Sequence, residues 1–397
     1  MSLTPFTKQQ LLPQEEKLEV GKQKSDLFIG IPKETSYQER RICLTPDAVN
    51  SLTAHGHRVM IEAGAGEASS YSDKDYSEAG AEVTHDTQKV LSCPVILKVE
   101  PPTLKEIEMM NQHTLIISAI QLKTQKKEYF EALAIKKITA LAFEFIKDED
   151  GSYPAVKSLS EIAGTASVLI ASELMINQKI GKGLLLGNIT GVPPTEIVII
   201  GAGTVAEFAA KTALGLGASV KVFDNSITKL RRLQNNLNQR IFTSTIQEKI
   251  LLKSLMRCDV AIGAMRGKNR TPIVVTETMV ERMKRGAVII DVCIDTGGCF
   301  ETSEITTHEK PTFVKHNVVH YCVPNIPSRY SKTASMSISN IISPFLLQMA
   351  DDGGIESAIR CNAGLKHGIY YYHGLLTNRS IADWFSIPYR DINLIVF

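Results

Sequence analysis

Residues 196–233 read EIVIIGAGTVAEFAAKTALGLGASVKVFDNSITKLRRL. This stretch is the most informative part of the sequence about the fold. An apolar run typical of a buried strand passes directly into the turn Gly201-Ala202-Gly203, and a helical pattern follows. In such a turn the first glycine permits the bend, and the second lets the backbone approach a pyrophosphate. The sequence therefore predicts a strand–turn–helix unit that binds a dinucleotide.

Residues after this turn supply the other parts of a dinucleotide site. The helix opens with Thr204, Val205 and Ala206, where free N–H groups can face phosphates and a small side chain permits close packing. The next predicted strand, 219–223, ends at Asp224, whose carboxylate can bond both ribose hydroxyls and would repel a 2′-phosphate. We therefore predict NAD as the cofactor. The alternative is an ordinary strand–helix–strand unit with small turn residues.

The composition is that of a globular chain with balanced charge. Its 397 residues are enough for two domains, and 44% of them are hydrophobic. Lys and Arg number 44 against 42 Asp and Glu, so we expect no nucleic-acid partner, which would require a basic surface. An uninterrupted apolar run of about 18 residues does not occur, so we predict no membrane span.

The cysteines and the N-terminal residues indicate the cellular compartment of the protein. The seven cysteines are odd in number and show no CxxC spacing. We interpret them as reduced core residues of a cytoplasmic protein, and we predict no metal site. Residues 1–26 lack the apolar core of a signal peptide and are predicted to form an exposed N-terminal extension.

Strand-like and helix-like segments alternate along the chain, which is typical of parallel sheets. The predicted strands are 27–31, 58–62, 95–99, 114–120, 138–145, 197–200, 219–223, 259–263, 287–291 and 318–322. Long helices are predicted at 159–177 and 331–349, and the tail after 351 is predicted to be helical and mixed. The predicted fold class is α/β, with two doubly wound Rossmann-like domains. The NAD-binding domain, 156–331, is inserted into a substrate domain formed by 27–155 and 332–397.

Six stretches carry a family resemblance. They are IGIPKETSYQERRICLTP at 29–46, GHRVMIEAGAG at 56–66, SLSEIAG at 158–164, VIIGAGTVA at 198–206, IIDVCIDTGGCFE at 289–301 and HYCVPNIPSRYSKTAS at 320–335. Together they resemble the family that unites alanine dehydrogenase with the NAD-binding subunit of pyridine nucleotide transhydrogenase. The last two stretches are more similar to alanine dehydrogenase, and the long loop typical of the transhydrogenase subunit is missing after Asp148.

The resemblance implies a reaction and a set of site residues. In this family a hydride passes directly between the nicotinamide and the α-carbon of a small amino acid, and water converts the imine to a 2-oxo acid and ammonia. Arg41 matches the arginine that binds the substrate carboxylate, and Asp295 matches the catalytic aspartate. Asn325 matches an asparagine near the nicotinamide, and Ser160 matches a serine near the phosphates. The resemblance also implies a homo-oligomer, such as a hexamer.

Two positions depart from the family pattern. Glu100 stands where the family has a substrate-binding lysine, and Gln121 stands where it has the catalytic histidine. A carboxylate repels a substrate carboxylate, and an amide cannot exchange a proton near neutral pH, so we expect poor alanine turnover. Lys98 and Lys123 could each supply a cation from the same strand face if the strands continue, although Lys98 could equally be structural. Alternatively, Glu100 recognises a positive group on a larger or cationic amino acid.

Three functions are compatible with these residues. The first is an NAD-dependent oxidoreductase of the alanine dehydrogenase type, which oxidises L-alanine or another small amino acid. Arg41 would anchor the carboxylate, and Asp295 would position the amine or water. The second is a transhydrogenase-like NAD(H)-binding component, which needs neither the lysine nor the histidine. The third is a catalytically silent NAD-binding protein.

Overall fold

A computed structural model describes residues 25–36, 38–267 and 270–396, except for the side chain of Lys123. Residues 1–24, which make up nearly all of the predicted N-terminal extension, lie outside the described part. The strands are β1 (Phe28–Ile31), β2 (Arg58–Glu62), β3 (Glu82–Thr84), β4 (Val95–Leu97), β5 (Leu115–Ser118), β6 (Thr139–Ala142), β7 (Glu196–Ile200), β8 (Ser219–Phe223), β9 (Phe242–Ser244), β10 (Val260–Gly263), β11 (Val288–Asp291), β12 (Thr312–Lys315), β13 (Val318–Tyr321), β14 (Ile369–Tyr372) and β15 (Leu375–Leu376).

Helices connect these strands. They are α1 (Pro46–Ala54), α2 (Asp73–Glu78), α3 (Thr87–Leu91), α4 (Leu104–Met109), α5 (Lys127–Ile135), α6 (Pro154–Met175), α7 (Thr204–Gly215), α8 (Ile227–Leu237), α9 (Glu248–Leu255), α10 (Glu277–Val280), α11 (Ser331–Asp351), α12 (Ile355–Cys361), α13 (Ala363–Gly368) and α14 (Arg379–Phe385). In the described part of the chain, no helix has both the length and the apolar composition needed to cross a bilayer.

The first sheet has the strand order β15-β14-β6-β5-β4-β1-β2-β3. The strands from β1 to β6 pair in parallel, whereas β14 runs antiparallel to β6 and to β15. Side chains alternate between two apolar layers, so that Leu97 of β4 packs with Ile29 while its neighbour Ile96 packs on the other face with Phe130. Both faces of this sheet are therefore covered, as a parallel sheet requires.

The second sheet contains the glycine-rich turn and has the order β12-β13-β11-β10-β7-β8-β9. All of its pairs are parallel except β12 with β13. In β7, Ile197 and Ile199 pack into one apolar layer, and Val198 and Ile200 pack into the layer on the opposite face. This alternation explains why the strand before the turn reads as an unbroken apolar run.

Two long helices carry the chain between the sheets. Helix α6 joins β6 to β7, and α11 leads from β13 back toward β14. Helix α6 packs closely on α7, because a Cβ atom at Gly164 would lie 2.4 Å from the carbonyl oxygen of Val205. Pro154 occupies the first turn of α6, where its missing N–H costs nothing.

The predicted fold class of two doubly wound domains, one inserted in the other, is confirmed. The domain boundaries near residues 155 and 331 stay predictions. Three strands are shorter than predicted: β4 ends at Leu97, β5 at Ser118 and β6 at Ala142. The tail also contains strands β14 and β15, because tyrosines 370–372 extend the first sheet beside β6 and are buried there.

Candidate active site

The candidate site residues share one position in the fold, since each follows the carboxyl end of a strand of a parallel sheet, where ligands of such sheets bind. In the first sheet, Glu34, Glu39 and Arg41 follow β1, Lys98 and Glu100 follow β4, Gln121 follows β5, and Glu144 follows β6. In the second sheet, Gly201 and Gly203 follow β7, Asp224 follows β8, Asp295 follows β11, and Asn325 follows β13.

The first glycine of the turn is required by the backbone. Gly201 has a φ of 115°, and its N–H donates to the carbonyl oxygen of Phe223 at 2.7 Å. A Cβ atom at this position would lie 2.3 Å from the carbonyl oxygen of Ala264. Any side chain at Gly201 would therefore clash with the neighbouring loop, in addition to the cost of its left-handed conformation.

The second glycine leaves room for a ligand. Gly203 has a φ of −86°, and a Cβ atom placed on it would meet no atom within 4 Å. Helix α7 begins at the next residue, Thr204, followed by Val205, and Ala206 is fully buried on the packed side. The N-terminus of α7 therefore faces open space at Gly203, which fits a pyrophosphate bound by backbone N–H groups.

Asp224 is held in place by the turn itself. One carboxylate oxygen accepts the N–H of Ala202 at 2.8 Å, and the other accepts the N–H of Ser226 at 2.7 Å. An ionised carboxylate has about four acceptor positions, so two remain for ribose hydroxyls. The Ser160 hydroxyl donates to the carbonyl oxygen of Val156 within α6, at 2.6 Å. Its contact with a phosphate stays a prediction.

Arg41 is buried and ion-paired. Its Nε donates to Oε1 of Glu39 at 2.7 Å, and its Nη2 donates to Oε2 of the same carboxylate. Burial opposes the ionisation of Glu39, but Arg41 outweighs it and lowers the pKa of that carboxyl below its usual value. The guanidinium is thus held rigidly, and its charge is matched by a carboxylate before any substrate binds.

Asn325 joins the two halves of the site. Its side-chain nitrogen donates to Oε2 of Glu39 at 3.0 Å, and its backbone N–H donates to a carboxylate oxygen of Asp295 at 3.3 Å. The residue adopts a left-handed conformation with a φ of 52°, which asparagine tolerates better than most side chains. Through this one residue, the Arg41–Glu39 pair of the first sheet meets Asp295 of the second.

The loop that presents Asp295 is fixed from below by Asp291. One oxygen of this buried carboxylate accepts the N–H and thiol of Cys293, at 3.2 and 2.9 Å. The other accepts the N–H of Cys299 at 3.1 Å and the hydroxyl of Ser303 at 2.7 Å. Asp291, Cys293 and Cys299 are close enough to hold a metal ion in the described structure, but their ligand atoms already bond one another and the loop.

The two departures from the family pattern contact each other. The Glu100 carboxylate accepts hydrogen bonds from the side chains of Gln121 and Ser36. Burial, followed by repulsion from Glu39, raises the pKa of Glu100 above its usual value. Gln121 lies beyond the end of β5 with a φ of 46°, so it does not continue the strand. Glu100 and Gln121 therefore form one hydrogen-bonded pair facing the candidate site.

Lys98 forms buried ion pairs within the protein. Its ammonium lies 2.7 Å from Glu106 and 3.4 Å from Glu34, and its side chain is only 1% exposed. The sequence interpretation required Lys98 and Glu100 to lie on the same face of a continuing strand. They do not, because β4 has already ended at Leu97. We therefore leave Lys98 out of the proposed substrate contacts. The side chain of Lys123 lies outside the described part of the chain.

Three carboxylates of the site were not predicted from the sequence. Glu34 is nearly buried and accepts the N–H of Val99 at 2.6 Å, and Glu144 accepts the N–H of Ile120 at 3.3 Å. Burial is the main cause that raises the pKa of Glu34 to about 7 and that of Glu144 to about 6. Glu39, two residues before Arg41, is the third. The charged loop after the first strand contains Glu34 and Glu39, and its charges could have indicated a site. Charged residues in a loop, however, usually indicate solvent exposure.

Comparisons with known proteins agree with this geometry. The family model described as alanine dehydrogenase/PNT, N-terminal domain, matches residues 30–163, and the corresponding C-terminal domain model matches residues 167–379. The chain is 36% identical to alanine dehydrogenase of Mycolicibacterium smegmatis over 92% of its own length and 98% of the relative's. It is also 36% identical to alanine dehydrogenase 2 of Staphylococcus aureus, with the same coverage.

Solved structures show the same relationship. A structure of L-alanine dehydrogenase matches with a TM-score of 0.85 and 34% identity, over 91% of this chain and 99% of that one. A transhydrogenase from Sinorhizobium meliloti matches with a TM-score of 0.76 at 23% identity, over 89% and 99%, which shows a shared fold. The cofactor is NAD, in agreement with the open turn at Gly203 and the carboxylate of Asp224. The chain is an oxidoreductase and belongs to the alanine dehydrogenase/PNT family.

Proposed function

We propose that the protein is an NAD-dependent amino-acid dehydrogenase that turns over L-alanine poorly. The observation that carries this proposal is the bridge made by Asn325, which bonds Glu39 of the Arg41 pair and also Asp295. Asn325 thus lies between Arg41, a cation that can bind a carboxylate, and Asp295, an anion that can bind an amine or a water molecule. Asp295 follows β11 of the sheet that holds the NAD turn, and Arg41 follows β1 of the other sheet.

In the proposed reaction, the chain's residues bind and orient the amino acid. Arg41, held by Glu39, offers its remaining N–H groups to the α-carboxylate. Asp295 accepts a hydrogen bond from the α-amine and then from the water that attacks the imine carbon. The turn at Gly201 and Gly203 and the carboxylate of Asp224 would hold NAD, which would supply the acceptor for the hydride of the α-carbon. The products are a 2-oxo acid, ammonium, NADH and a proton.

Poor turnover of L-alanine is proposed because of the Glu100–Gln121 pair. Glu100 lies near Glu39, and in its ionised form it would repel the carboxylate of alanine, which a lysine at this position would attract. Gln121 offers an amide where proton transfer is needed, and loss of a general acid or base costs about 10² to 10⁴ in rate. The likeness to the transhydrogenase, at 23% identity, supports only the fold and does not favour a carrier function.

The test is NADH formation by the unmodified protein, followed by absorbance with NAD and each proteinogenic amino acid in turn. We expect turnover with at least one amino acid, and slow turnover with L-alanine. NADH binding is measured in parallel by its fluorescence. Tight NADH binding without turnover of any amino acid would contradict the proposal and favour a silent NAD-binding protein or a carrier.

A further inference from the structure

Carboxylates crowd the substrate side of the candidate site. Glu34 and Glu39 follow β1, Glu100 follows β4, and Glu144 follows β6, so three loops of the first sheet contribute four acids. Their charges interact directly, since Glu39 and Glu100 both help to raise the pKa of Glu34, and Glu39 also raises that of Glu100. The site therefore concentrates negative charge.

The cations near these acids are already engaged by carboxylates, and Arg266 acts on Glu144 in this way. Arg41 gives two of its five N–H donors to Glu39, whose carboxylate offsets its charge. Lys98 makes its short contact, 2.7 Å, with Glu106, which lies on α4. Glu100 accepts hydrogen bonds from the neutral side chains of Gln121 and Ser36. In the described part of the chain, the hydrogen bonds of Glu100 thus come from neutral groups, and Arg41 acts on it only through its charge.

Glu34 is a second acid of the site, and it shares its cation, Lys98, with another carboxylate. Its side chain is 10% exposed, and its Oε2 atom is fully buried without a hydrogen-bond donor in the described structure. The Lys98 ammonium approaches this oxygen only to 3.4 Å while bonding Glu106 more closely. Two buried carboxylates thus share one ammonium, and a further cation bound nearby would lower the cost of burying the second.

We propose that the substrate itself supplies this charge: it is an amino acid with a cationic side chain, whose ammonium group binds Glu100. This inference rests on the proposed function. A neutral amino acid is a zwitterion, so its single ammonium is matched by its own carboxylate and leaves the acids of the site uncompensated. A diamino acid brings one further positive charge. Its carboxylate would bind Arg41, its α-amine would face Asp295, and its second ammonium would reach the half-buried Glu100.

The experiment compares pairs of substrates of nearly equal shape that differ in charge. Lysine is paired with norleucine and ornithine with norvaline, and kcat/KM is measured with NAD for the unmodified protein and for Glu100→Gln. This substitution keeps the size of the side chain and an acceptor for Gln121 but removes the charge. Glu108→Gln, an equal change of charge at an exposed position of α4, is the matched control.

We expect the unmodified protein and the control to favour the cationic member of each pair by about tenfold or more, the size of one hydrogen bond to a charged group. Glu100→Gln should abolish this preference while still turning over the neutral acids. Equal turnover of both members by the unmodified protein would overturn this inference and leave the proposed function standing. No turnover of any amino acid would overturn both.

Discussion

The double substitution Glu100→Lys with Gln121→His is expected to raise kcat/KM for L-alanine by about 10²-fold or more. Exchanging an anion for a cation about 4 Å from a carboxylate changes the interaction by roughly 8 kcal/mol at an effective dielectric of 20, and by several kcal/mol after screening. The histidine restores a group that exchanges protons near neutral pH, worth about 10² to 10⁴. The measurement is NADH formation from L-alanine.

Each single substitution should give much less than the double variant, because Glu100 and Gln121 are in contact and each change supplies only one of the two missing functions. The introduced lysine would lie near Glu34 and Glu39, which can accept its charge. NADH affinity, measured for all four proteins, should stay constant. If the unmodified chain oxidises L-alanine as fast as the double variant does, the pair does not impair alanine chemistry.

The two glycines of the turn are expected to respond differently to alanine. Gly201→Ala forces a side chain into a left-handed conformation, which costs about 1–3 kcal/mol, and places Cβ 2.3 Å from the Ala264 carbonyl oxygen. It should lower the melting temperature and abolish NADH binding together. Gly203→Ala meets no protein atom within 4 Å and has an ordinary φ, so it should leave the melting temperature unchanged but weaken NADH binding.

Thermal unfolding and NADH fluorescence titration separate these two effects, and Gly203→Ala serves as the control for Gly201→Ala. Wild-type NADH affinity in Gly203→Ala would show that the pyrophosphate does not approach this backbone. An unchanged melting temperature in Gly201→Ala would show that the Ala264 loop can move away.

The sequence was sufficient for the fold because the relevant signals are local. The unbroken apolar run of β7 packs on both faces, and Gly201 needs its positive φ for the bend, so the pattern and the structure have the same cause. Strand ends were less predictable. Apolar residues such as Val99 and Ile120 extend the hydrophobic runs of β4 and β5, although they pack as parts of loops.

The candidate site was less predictable because its contacts are not local. Arg41 and Asp295 were identified by resemblance. The hydrogen bond from Asn325 to Glu39, however, joins residues that are 286 positions apart in the chain. Glu34 and Lys98 likewise meet only once β1 and β4 lie side by side. That Glu100 and Gln121 touch could not be derived from their spacing, because neither belongs to a strand.

Asp295 and Arg41 are proposed to serve hydride transfer from an amino acid to NAD. The direct measurement uses the best amino acid of the panel labelled with deuterium at the α-carbon, and the NADH formed is analysed by mass spectrometry. We predict that NADH carries the deuterium, and that Asp295→Asn slows its formation by about 10²-fold or more while NADH affinity is unchanged. Unlabelled NADH would contradict direct hydride transfer from the α-carbon, and full activity in Asp295→Asn would contradict the proposed role of Asp295.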